Sequence, residues 1–141
     1  MDSDTIIHST PNVETHISLP AATGLSPKTP KTAAIGLSNT LFGVQIGPAS
    51  FPNTIIGMGR LIGDWGCFFQ LVDITVLPSH QGWGVGKMII KELNTWLIKN
   101  VPESGTVLLF ADGRAKELYS QYGFVETLGL PTSSVGMACR Y

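Results

Sequence analysis

The chain has 141 residues, of which 43% are hydrophobic and 13% charged, so it has the size and composition to bury one core and is not a disordered charged tail. Nine Lys+Arg against ten Asp+Glu leave a net charge of −1, which excludes the basic surface that a nucleic-acid binder needs. No apolar run approaches the roughly 20 residues of a membrane span. The two cysteines, Cys67 and Cys139, and the three histidines, His8, His16 and His80, have neither disulfide-scaffold nor metal-ligand spacing.

Residues 1–10 carry no basic start followed by an apolar stretch, so no secretory signal and a cytoplasmic location are expected. Up to residue 50 the chain is rich in Ser, Thr and Pro and its periodicity is weak. Ile6 and Ile7 read as a short edge strand. Residues 14–23 have helical composition, but Pro20 argues against a regular helix. Residues 32–41 are predicted to be helical, and 41–46 to form a strand that stops at Gly47-Pro48. The signal sharpens from Thr54. Residues 54–62 read as a strand with two glycines, Gly63-Asp64-Trp65-Gly66 as a turn, and 67–77 as a long strand closed by Pro78. Apolar residues on both parities of that strand imply that both sheet faces are covered. Residues 84–100 form the clearest helix: Val85, Met88, Ile89, Leu93, Trp96 and Leu97 share one face, away from Lys87, Lys91 and Asn94. A fully buried strand over 107–111, a short helix over 114–121 closed by Gly123, and final strands over 124–127 and 135–140 complete a single α/β domain with a mixed sheet.

The segment from Gln81 to Lys87 joins the long strand to the clear helix. Gly82, Gly84 and Gly86 leave its backbone bare, so successive amides can converge on an anion at a helix start. A tight turn needing glycine only for its dihedrals is the competing reading. The P-loop pattern fails, since only three residues separate Gly82 from Gly86 and Met88 follows Lys87. The dinucleotide pattern fails too: the order is G-x-G-x-G, and too few residues follow for a doubly wound fold.

Gln81-Gly82-Trp83-Gly84-Val85-Gly86 resembles the Q/R-x-x-G-x-G/A motif of the GNAT superfamily of acetyl-CoA-dependent N-acetyltransferases. Residues 107–112, followed by 115–124 with Tyr119, Gly123 and Phe124 in a YxxxGF ending, resemble that family's second motif. The resemblance implies a GNAT fold over the whole chain: a mixed central sheet flanked by helices, with a splayed parallel strand pair. It implies motif segments at about 67–100 and 106–125. It implies that Gln81, Gly82, Trp83, Gly84, Val85, Gly86 and Lys87 wrap the coenzyme A pyrophosphate, that the backbone of Ile74, Thr75 and Val76 pairs with the pantetheine arm, and that Asp112 and Ala115 also contact the coenzyme. Lys87 reads either as a phosphate contact or as a solvated helix lysine.

The resemblance casts Tyr119 as the general acid beside the sulfur. A phenol titrates near pH 10 and a thiol near 8.5, so a hydrogen bond to the departing sulfur is a large part of such a role. Asp73 is the anomaly of the apolar run 71–76, since an unpaired buried carboxylate is costly. It reads equally as a catalytic base or as a structural partner of Arg60 or a loop amide. Strand alternation puts it on the face of Phe69, Leu71 and Thr75. His80 and Asp112 are weaker base candidates. Trp65 and Phe69 read as substrate-pocket aromatics or as core. Acidic residues are few in the front half (Asp2, Asp4, Glu14), and the likeness to small serotonin-type acetyltransferases points the same way, so an apolar or aromatic amine is expected. Neither cysteine is placed for an acyl intermediate, so direct transfer in a ternary complex is expected, with no metal. A non-catalytic acyl-CoA-binding module and a peptide or protein acetyltransferase are the alternatives. Small family members often form homodimers, which the apolar composition allows.

Overall fold

The computed structural model describes residues 4–24, 27–51, 53–111, 115–126 and 137. The elements, in chain order, are β1 (Asp4–Ile7), α1 (Val13–Ala22), α2 (Pro30–Leu37), β2 (Phe42–Pro48), β3 (Gly57–Gly63), β4 (Phe68–Val76), a 3-10 turn (Pro78–His80), α3 (Val85–Asn100), β5 (Thr106–Leu108) and α4 (Ala115–Ser120). Residue contacts divide the chain into two compact units, Met1–Phe110 and Ala111–Tyr141.

Local chemistry sets the element ends of the first unit. The Asn12 side chain accepts from the Thr15 amide at 2.8 Å and starts α1, and Thr29 caps α2 just ahead of Pro30. Against expectation, α1 runs regularly through Pro20 to Ala22. Pro20 falls in the last turn, where its missing N–H forfeits a single helical bond, and buried Leu19 and His16 hold the helix down.

The sheet has the order β1-β2-β3-β4-β5. Its first four strands are antiparallel and β4-β5 is parallel, a mixed α/β sheet with flanking helices as the sequence implies. On one face α3 lies against β3. A Cβ at Gly57 would come within 2.9 Å of Val85 Cγ1, and one at Gly59 within 2.7 Å of Ile89 Cγ2. The two glycines therefore let the helix settle onto the strand, and Val44, Ile46, Met58, Leu61, Phe69, Ile89 and Leu93 close the core. Ile90 is also fully buried, beyond the helix face read from the sequence.

Two strand expectations are corrected. β5 spans only three residues and is not fully buried: Leu108 and Phe110 are 41% and 68% exposed. It pairs through Phe68↔Thr106, Phe69↔Val107 and Gln70↔Leu108 and no further, and its outward residues alternate with inward ones as in any strand covered on one side. Residues 124–126 form no strand. Residue 127 and residues 135–140 other than Met137 lie outside the described residues.

In the second unit, α4 closes through Gly123 at φ +87°, the left-handed cap expected there. The Tyr119 ring meets the Phe124 ring edge-on at 6.3 Å.

Candidate active site

Because β5 stops at its pairing with Gln70, the rest of β4 runs on past it on that side. Residues 71–76 pair with β3 on one edge, including Met58↔Thr75 and Gly57↔Val76, and with no strand on the other among the described residues. The parallel pairing thus covers only the start of β4, and the backbone of Ile74, Thr75 and Val76 lies along the stretch beyond it. Such an edge can accept an extended, amide-bearing ligand as an added strand.

The open edge leads into the glycine segment. Pro78–His80 turns the chain, and the Gln81 side chain reaches back to donate to the Val76 carbonyl at 3.1 Å, tying the segment to the strand end. Gly82 and Gly84 both sit in left-handed conformations, at φ +82° and +83°. A Cβ there would meet no atom within 4 Å, so the requirement for glycine is conformational. Gly84 is the N-cap of α3 and has no side chain to cap it; the first helical bond runs from the Met88 amide to the Gly84 carbonyl at 3.0 Å. No described residue accepts from the amides of Val85, Gly86 and Lys87, which open the helix. These are donors without a described acceptor at the positive end of a helix dipole, suited to an anion. Trp83 is 64% exposed and meets His80 edge-on at 5.7 Å, and Lys87 is exposed on the first turn.

Asp73 stands at the middle of the open stretch. Its φ is +58°, and the pairing with β3 shifts register between Met58 and Arg60, which marks a β-bulge. The bulge corrects the face assignment. Val72, Asp73 and Thr75 all turn away from α3, whereas Phe69 and Leu71 lie on the α3 side. Asp73 Oδ2 accepts from Arg60 Nε at 2.7 Å and from His16 Nε2 at 2.9 Å. Arg60 in turn donates through Nη1 to Thr40 Oγ1 at 2.7 Å and to the Gly36 carbonyl at 3.3 Å. The pairing with Arg60 is the structural half of the sequence expectation. His16 was missed there, because 57 residues separate it from Asp73 and only the docking of α1 on β4 joins them. Its position one turn before buried Leu19 was the available signal.

The remaining site candidates are dispersed. Phe69 is 1% exposed and packs on Trp96 at 6.2 Å. Trp65, 57% exposed in the hairpin turn before β4, meets the same Trp96 at 5.4 Å. Both lie at the start of β4, the end opposite the glycine segment. Tyr119 and Ala115 belong to the second unit, on α4, where Tyr119 is buried. Asp112 lies outside the described residues. Among the described residues no group of three or more His, Cys, Asp or Glu is placed to hold a metal, and no helix is long and apolar enough to cross a membrane.

Comparison with known proteins adds four findings. A family model described as an acetyltransferase (GNAT) domain matches residues 40–126. A probable acetyltransferase of Glycine max, TAP2, is 33% identical over 88 residues, which cover 60% of this chain and 35% of that protein. The match thus spans about a third of the length of this relative and of a second Glycine max protein, the histone acetyltransferase TAP1. A crystal structure from meticillin-resistant Staphylococcus aureus, of a protein of unknown function described as a probable acetyltransferase, superposes with TM-score 0.88 at 37% identity, over 99% of this chain and 100% of that one. A Mycobacterium tuberculosis protein solved with CoA shares the fold at TM-score 0.70 and 18% identity, over 90% of this chain and 75% of that one.

Proposed function

The chain belongs to the GNAT acetyltransferase family, and from that premise we propose that it is an N-acetyltransferase moving an acetyl group from acetyl-CoA to a primary amine by direct attack in a ternary complex. One observation carries the reading: an open strand edge on β4 ends directly in a bare glycine segment whose helix-opening amides have no acceptor among the described residues. That edge matches the amides of a pantetheine arm and that segment matches a diphosphate, in the order in which coenzyme A carries them.

In this reading Ile74, Thr75 and Val76 align the thioester arm, and Gln81 to Lys87 hold the diphosphate. Asp73 meets the amine. Tyr119 supplies a phenolic proton or hydrogen bond to the departing sulfur. Cys67 is exposed next to the hairpin turn, away from the open edge, and Cys139 lies outside the described residues; no acyl-enzyme on Cys67 enters this reading. The acceptor class favoured is a small apolar or aromatic amine.

The test is a panel of amines of graded size and polarity, peptides included, incubated with acetyl-CoA while free thiol is followed. Thiol release that depends on one class of amine supports the reading and names the acceptor. Tight binding of acetyl-CoA with no release on any amine would leave an acyl-CoA-binding module instead.

A further inference from the structure

His16 is 5% exposed, and its Nδ1 is buried without a hydrogen-bond partner among the described residues. An orphaned polar atom in a closed interior destabilises the fold, and an apolar side chain of similar volume would remove that cost. What the imidazole contributes is its other nitrogen, 2.9 Å from Asp73 Oδ2. A carboxylate that is ion-paired to a guanidinium only accepts, so Nε2 carries the hydrogen and donates it. The same Oδ2 accepts from Arg60 Nε at 2.7 Å. Two donors from two elements, α1 and β3, thus fix one oxygen of a carboxylate seated in a bulge. Arg60 is itself braced by Thr40 and the Gly36 carbonyl. The other oxygen, Oδ1, has no partner among the described residues, and the Asp73 side chain keeps 24% of its exposure. It sits one residue before Ile74, on the stretch of β4 that runs past β5.

We propose that His16 is a positioning residue: with Arg60 it clamps Asp73 Oδ2 so that Oδ1 is held out as the acceptor for an N–H of the incoming amine. The inference rests on the acetyl-transfer reading and specifies how that site takes its nucleophile. An N–H held at Oδ1 fixes the direction of the nitrogen lone pair relative to a thioester lying along the open edge. The nitrogen then forms the C–N bond, and the C–S bond breaks with its electron pair on sulfur. The proton lost by nitrogen balances the one gained by sulfur. The buried, unpaired Nδ1 is the cost in stability of placing a donor behind Asp73.

The experiment compares wild type, His16→Leu and His16→Gln with the best amine of the panel. It measures kcat/KM for the amine, KM for acetyl-CoA and thermal unfolding. Leucine removes the donor. Glutamine keeps an N–H at the reach of Nε2 but cannot take up a proton. The expected result is a folded leucine variant with KM for acetyl-CoA unchanged and kcat/KM for the amine lowered about 100-fold, the scale of a nucleophile misplaced by an ångström, with glutamine recovering most of the loss. His16→Asn, too short to reach Asp73, replaces leucine if that variant does not fold. A donor-less variant with wild-type kcat/KM overturns the proposal. So does a glutamine variant as impaired as leucine, which would make the ring a proton acceptor rather than a clamp. A wild type that releases no thiol with any amine sinks the transferase reading itself, an outcome distinct from both.

Discussion

At the scale of single residues, the chemistry divides between groups held ready by their neighbours and groups held in place for the fold. Tyr119 is the residue proposed to act on the departing sulfur. Tyr119→Phe keeps the ring that meets Phe124 and removes only the hydroxyl. Its expected effect is a loss of about 10²-fold in kcat with acetyl-CoA affinity unchanged, read by stopped assays beside calorimetry. Equal turnover would end the general-acid role. Asp64 is a fold residue. Its Oδ1 accepts from the Phe68 amide at 3.0 Å and from the Gly66 amide at 2.9 Å, closing the hairpin turn between β3 and β4. The Phe68 amide first, and the Gly66 amide second, hold its carboxyl below the usual carboxylate range. A folded-state value that is depressed means stability present above the unfolded value and lost as pH falls through the folded one. The stability gap between wild type and Asp64→Ala should therefore be open at neutral pH and close on acidification below the ordinary carboxylate range, by denaturant midpoints taken across that range. A gap independent of pH would show that the turn does not depend on the charge.

At the scale of elements, α3 and β3 form one contact built on glycine. Ala at position 59 would place its Cβ 2.7 Å from Ile89 Cγ2 and 3.1 Å from Leu93 Cδ1. Gly59→Ala should then cost about 1–3 kcal/mol, the usual penalty for overfilling a packed core, measured as a lower denaturant midpoint with an unchanged slope. A neutral substitution would mean that the helix can lift from the strand freely. The start of α3 carries the glycine segment proposed to hold a diphosphate, so this contact also locates that segment against the end of β4. The bulge at Asp73 is the second element-scale device. Plain alternation would have turned the carboxylate toward α3, where Phe69 and Leu71 lie; the extra residue turns it toward Arg60 and His16. A change of face by one residue decides which partners the carboxylate meets.

At the scale of the whole molecule, a ligand that binds only the folded chain raises its unfolding temperature by mass action. Acetyl-CoA at 100 times its dissociation constant should add about 2.7 kcal/mol of stability, while ATP and NAD at the same concentration add far less. Thermal melts with each ligand measure this, and equal shifts from ATP would redirect the glycine segment to nucleotides. Much of this protein was readable before any coordinates. The β4–α3 hinge with its glycines, the amphipathic α3 and the Gly123 cap are all local: each follows from dihedral freedom or a 3.6-residue period within a few neighbouring positions. The glycine spacing from Gly82 to Gly86, Met88 after Lys87 and the few residues that follow already pointed away from the P-loop and dinucleotide folds. The length of β5, the passage of α1 through Pro20, the face taken by Asp73 and the clamp made by His16 were decided by tertiary structure alone. Each depends on which segments far apart in the chain come to lie side by side, and side-chain pattern within one segment carries no information about a partner 57 residues away.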